Sequence, residues 1–146
     1  MEDKLKIELV PEACWYANLR SILKPSQWDK VRRDAYARAN GRCMCCGRLA
    51  KRLEAHERWS YDEKRALQKL ETVVALCHNC HEVAHISRTQ LVGRGVEAME
   101  WFMKVNKCSQ MDFHAALQKA NEEHFRRNRI EGWTTDVSWL KDKFDF

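Results

Sequence analysis

The feature that most constrains this chain is a pair of cysteine knuckles, Cys43-Met44-Cys45-Cys46-Gly47 and Cys77-His78-Asn79-Cys80. Two C-x-x-C pairs about thirty residues apart suit one tetrahedral zinc ion, each pair supplying two thiolates from a tight turn. Any fold must therefore bring the two turns together. Seven cysteines occur in all, and an odd count without a secretion signal argues against a disulfide framework. Gly47 suits the left-handed backbone that such a turn uses. Cys43 and Cys46 match the spacing of the second pair, but Cys45 is a spare sulfur, and a swap involving it stays open. Cys14 and Cys108 stand alone and read as small packed hydrophobes. A dithiol redox role is the competing reading of either pair. Two matched pairs weigh towards a metal.

At 146 residues the chain is expected to form one domain with a core of moderate size. No apolar run approaches the ~20 residues of a membrane span. The start, Met1-Glu2-Asp3-Lys4, lacks the basic and apolar stretches of a signal peptide. The expectation is a soluble, cytoplasmic protein with no membrane partner. The net charge is +5, and its placement is more informative than its size. Residues 30–65 hold eleven Lys or Arg against five Asp or Glu, so the surplus gathers around the first knuckle. That fits polyanion contact as well as a solvated helix face.

The pattern along the chain predicts four segments. Residues 1–25 read as an extended arm with turns at Pro11 and Pro25. Residues 26–42 read as a leading helix, opened by a capping box at Ser26-Gln27-Trp28-Asp29 and closed by Asn40-Gly41. Residues 43–92 read as a zinc-stapled core. Within it a strand covers 49–59, a polar excursion 60–71, a second strand 72–76, and a helix starts at Cys80. Residues 93–146 read as a helical extension, with Val96, Met99, Phe102 and Met103 on one face of a first helix. Ser109 caps a second helix, whose stripe is Phe113, Leu117, Ala120 and His124. The tail carrying Trp133 and Trp139 folds back over the core.

Two strands and a helix stapled by zinc make a ββα-metal arrangement, an α+β core surrounded by helices. His56 lies on the first strand, while His81 and His85, four apart, share one face of the helix. Three imidazoles meeting there would bind a second, divalent ion and leave positions open for water and phosphate. The competing reading has His81 or His85 merely supporting the zinc knuckle.

At these residues the chain resembles an HNH endonuclease of the four-cysteine kind. The resemblance rests on Cys43-x-x-Cys46-Gly47, Leu53-Glu54-Ala55-His56-Glu57 and Leu76-Cys77-x-x-Cys80-His81-x-x-x-His85. The run His56-Glu57-Arg58-Trp59-Ser60-Tyr61-Asp62 and the flanks Cys14-Trp15-Tyr16-Ala17-Asn18-Leu19-Arg20, Trp28-Asp29 and Trp139-Leu140 are similar to a bacterial and phage branch of that family.

The resemblance implies cleavage of nucleic-acid phosphodiesters, DNA in preference to RNA and double-stranded above all. It also implies a bacterial or phage-infected cell and is compatible with a homodimer. Its cofactors would be a structural Zn²⁺ and a catalytic Mg²⁺, Mn²⁺, Ni²⁺ or Zn²⁺. Glu57 stands where the family has a His general base, and Thr72 where it has an Asn that braces the site.

Two registers follow. In the favoured one His56, His81 and His85 bind the metal and Glu57 is the base. In the other His56 is the base, and Glu57 or Glu54 joins the helix histidines. Strand alternation puts Glu54 and His56 on one face and Glu57 on the other, which weighs against the first unless the strand ends or twists. Trp59 and Tyr61 suit base stacking or packing. Arg32, Arg33, Lys51 and Arg52 are candidate phosphate contacts. The alternative function is an inactive nucleic-acid-binding or protein-interaction module of the same fold.

Overall fold

Pro25 sets the start of the leading helix, because its fixed φ and missing N–H suit the first helical position. In the computed structural model, which describes residues 4–146, helix α2 spans Pro25–Ala39. The capping box forms two residues earlier than the expected Ser26–Asp29 pair. Lys24 is the N-cap, and Gln27 Oε1 accepts its N–H at 3.0 Å. Asn40, left-handed at φ 52°, and Gly41 at φ 79° end the helix as the sequence predicts.

Residues 1–3 of the expected arm lie outside the described residues. The remainder is extended only as far as Pro11. A 3-10 turn at Glu12–Cys14 and a short helix α1, Leu19–Ile22, follow, with the Asn18 side chain capping α1.

The central element is a hairpin of β1, Glu54–Asp62, and β2, Leu67–Leu76. Both strands reach further into residues 60–71 than their polarity suggests. Asp62 Oδ1 accepts the N–H groups of Lys64 and Arg65, each at 3.1 Å, and closes a tight turn. Ser60, Asp62, Lys69 and Glu71 face solvent there, while Gln68 is buried. The first strand begins at Glu54 rather than 49 because the preceding chain belongs to the knuckle, where Arg42 bridges Leu49 and Ala50 N–H donates to Gly41 O. Register shifts between Arg58 and Trp59, which pair with Thr72 and Leu70.

After β2 come α3, His78–Ala84, and α4, Ile86–Leu91, then α5, Gly95–Asn106, and α6, Gln110–Asn128. Ser109 and Asp112 form the expected capping box of α6. The tail returns as β3, Thr134–Asp136, parallel to β2, and as α7, Ser138–Phe144. The protein is thus α+β, mostly helical, with one small three-stranded sheet in the order β1-β2-β3.

Alternation along β2 divides the core. Val74 and Leu76 face one way, into a cluster with Leu5, Val83, Ile86, Phe102 and Phe113. Leu70, Val73 and Ala75 face the other way, towards Leu19, Val31, Ala35 and Leu140. Burial on both faces explains why residues 72–76 read as an unbroken β-branched and apolar run. Val96 departs from its expected role, being 60% exposed while Met99 and Phe102 pack inward. Among the described residues no helix is long and apolar enough to cross a membrane.

Phe102 is 1% exposed and meets Phe113 edge-on at 5.3 Å, joining α5 to α6. Phe102→Ala is expected to cost about 3–5 kcal/mol, read as the shift in a urea unfolding midpoint with the slope unchanged.

Candidate functional site

The first knuckle is a miniature hairpin. Cys43 N–H donates to Arg48 O at 3.0 Å and Gly47 N–H returns to Cys43 O at 2.9 Å, with Gly47 at φ 81°. Met44 N–H donates to Ala75 O at 2.9 Å, tying this turn to β2. The second knuckle begins α3, whose N-cap is Cys77. Its sulfur accepts the Cys80 N–H at 3.5 Å, as a Ser hydroxyl would at a helix start.

Together these turns bring Cys43, Cys46, Cys77 and Cys80 within 4.8 Å of one another, sulfur to sulfur. The donor set fits zinc: four sulfurs, three of them in buried residues, with N–H groups pointing at them. One of those donors is Trp101 Nε1, 3.3 Å from the Cys80 sulfur, and the Arg48 guanidinium lies over the same indole at 5.0 Å. The hydrogen bond from Cys80 holds the Cys43 thiol below its ordinary pKa, and neighbouring backbone N–H groups add to it. Cys45 is not one of the four: it is buried, its thiol donates to Lys4 O at 3.3 Å, and it also neighbours the Cys80 sulfur. Cys14 is buried, Cys108 packs against the first core, and neither joins the sulfurs.

His81 follows Cys80 directly, His85 comes one turn later, and facing them on β1 is His56. Their ring centroids are 5.1, 5.0 and 4.7 Å apart, and one nitrogen from each lies within 4.8 Å of the others. His85 lies one turn from His81, its N–H bonded to His81 O at 3.1 Å, and α3 ends at it, with φ −100° and ψ 50°. The break leaves carbonyls without their usual helical donors. The buried Thr89 hydroxyl donates to Glu82 O at 2.7 Å, and the Glu8 N–H donates to Ala84 O at 3.0 Å.

Two carboxylates stand behind the rings. Glu54 accepts from His81 Nδ1 at 2.7 Å and from His78 Nδ1 at 3.0 Å. A neutral His81 with its proton on Nδ1 leaves the Nε2 lone pair available. Glu8, on the arm, lies 2.8 Å from His56 Nε2. Burial works against ionisation of both acids, but their histidine partners outweigh it and hold each below the usual carboxylate range. Desolvation lowers the pKa of His81. It also lowers His85, with help from the neighbouring imidazoles, to about 4. Of the three, His56 is buried, His81 half-buried and His85 exposed. At neutral pH the His81 and His85 rings are uncharged, the form that binds a cation.

Glu57 is not brought to the imidazoles. It pairs with Val73 on the other face of β1, where it accepts the Leu19 N–H at 2.6 Å and the Trp59 indole N–H at 3.3 Å. Burial raises its pKa despite those bonds. Thr72, half-buried, sits opposite Arg58. Tyr61 is a packing residue, its hydroxyl on Gln68, its edge on Trp133 and the Arg127 guanidinium over its face.

The imidazoles open onto a cleft of about 960 Å³. The cations on its walls are Lys4, Lys6, Arg20, Arg58, Arg88 and Arg127. Arg32, Arg33, Lys51 and Arg52 do not line it. Arg32 is paired with Asp29 on α2, and Lys51 and Arg52 are exposed before β1. Sequence reasoning missed Glu8 and the cleft cations, since a lone acid in an arm and scattered basic residues carry no spacing signal. The knuckle spacing was the one strong local signal. Comparison with protein-family models, with curated proteins and with solved structures returned no match.

The sulfur geometry predicts which cysteines matter. Cys77→Ser and Cys80→Ser should lose the single tightly bound zinc and with it much of the folded state. Cys45→Ser should keep a full equivalent. Metal analysis of the purified proteins beside their thermal melts checks this, and zinc loss in Cys45→Ser would reverse the assignment.

Proposed function

We propose that the chain is a metal-dependent endonuclease of the HNH kind, with a ββα-metal core stapled by zinc, acting on DNA. The observation that carries this reading is the meeting of three imidazoles from a strand and a broken helix, beside the four sulfurs, at the floor of a cation-lined cleft.

His56, His81 and His85 would hold a divalent ion such as Mg²⁺, Mn²⁺, Ni²⁺ or Zn²⁺. The fit rests on two neutral rings, on convergent nitrogens, and on carboxylates that take the outward N–H of two of the three. When bound, such an ion neutralises phosphate charge, stabilises the leaving oxygen and lowers the pKa of attacking water.

The chain's own residues do the rest. Glu54 keeps the His81 proton on Nδ1. Arg58 and Arg88 border the imidazoles and supply fixed positive charge for the phosphates on either side of the scissile bond. Arg58 is suited to this because its buried Nε makes no hydrogen bond within the protein, approaching Glu8 only as an ion pair at 3.9 Å. Glu57, engaged with Leu19 and Trp59, takes no part as the base. It holds α1 against the hairpin.

A plasmid-nicking assay with each of the four metals tests the reading. Wild type is expected to cut, and His56→Ala and His81→Ala to fall to background. Glu57→Gln should keep most of the activity, whereas loss of a general base would cost about 10²–10⁴-fold. If wild type cuts no better than His81→Ala in every metal, the endonuclease reading fails. DNA affinity that falls steeply with salt would then mark a binding module, and a flat response would mark a scaffold for a protein partner.

A further inference from the structure

We infer that Glu8 is a positioning residue of the imidazole site, its carboxylate holding His56 so that one ring nitrogen faces an ion, and that the N-terminal arm is thereby a working part of that site. This rests on the reading of the three imidazoles as a metal centre.

His56 is 4% exposed, and a buried imidazole that keeps a proton needs an acceptor. Glu8 Oε2, at 2.8 Å from Nε2, supplies it. With that proton on Nε2, the lone pair of a neutral ring is confined to Nδ1. The arrangement repeats the one at His81, where Glu54 takes the Nδ1 proton. Two of the three rings are therefore each backed by a carboxylate, the arrangement that orients imidazole ligands and raises their basicity. Charge supports the same role, since Glu8 and Glu54 set two carboxylates directly against the imidazoles that would face a dication.

The placement of Glu8 is over-determined. The helix break at His85 frees Ala84 O, and the Glu8 N–H donates to it at 3.0 Å. Three residues upstream, Leu5 is 1% exposed and exchanges two hydrogen bonds with the Asn106 side chain, at 2.8 and 2.9 Å. The arm is thus pinned at the end of α5 and at the α3–α4 break, and the carboxylate between those anchors has little freedom. A residue far from the imidazoles, Asn106, acts on them through the arm.

The test is Mn²⁺ and Ni²⁺ binding to the full, zinc-loaded chain by titration calorimetry, with zinc content and thermal melts measured alongside. Glu8→Ala should weaken binding of the second ion by about 10–100-fold while zinc stays at one per chain. Glu8→Gln, which keeps an acceptor for His56, should recover part of that loss. Asn106→Ala should weaken binding in the same direction by less. Should Glu8→Ala fail to fold, the nearly isosteric Glu8→Gln decides alone. Wild-type affinity in the Glu8 variants, with binding abolished in His81→Ala, would overturn the role of Glu8 and leave the metal centre standing. Failure of the wild-type chain to bind any second ion would overturn both.

Discussion

Everything in this structure depends on four sulfurs held at one point. They join a turn that precedes β1 to the turn that starts α3, and so set the helix against the hairpin. Cys77 has two duties, as a sulfur of the cluster and as the N-cap that starts α3. Because the helix begins at that sulfur, the position of His81, four residues on, is decided by the same contact. Met44, bonded through its N–H to Ala75, carries the constraint into the second strand. A four-sulfur joint of this kind, if closed by a metal, would replace the larger apolar core that a small strand pair otherwise needs.

The imidazole cluster turns a structural liability into a site. Three aromatic bases packed at about 5 Å cannot all be charged. Desolvation favours the neutral form of His81 and His85, and Glu8 and Glu54 accept hydrogen bonds from the rings of His56 and His81. The helix break at His85 costs backbone hydrogen bonds, and Thr89 and Glu8 replace two of them from different directions. That repair draws the N-terminal arm across the helix, so the helix break and the long-range assembly are one event.

Much of the molecule could be read from its residues. The knuckle spacing, the α2 stop at Asn40-Gly41, the Ser109 capping box and the β-branched run before Cys77 each report a local rule. The structure obeys all four. The strand pair ran longer than expected because the turn at Asp62 is made by side-chain acceptance of N–H groups, which polarity alone does not reveal. The pairing of His81 with His85 followed from helical period, and the alternation warning against Glu57 proved the better guide to its place on β1.

What the sequence determined by itself was the set of parts with short-range rules: sulfurs three apart, imidazoles four apart, caps, and the alternation that separates His56 from Glu57. What only the tertiary structure decided was which distant residues meet those parts. Glu8 lies 48 positions from His56, and Leu5 lies 101 from Asn106. The cleft cations gather from the arm, the hairpin and three helices. Contacts across such separations obey no period, because they are set by how packed elements come to rest against one another rather than by the geometry of any one of them.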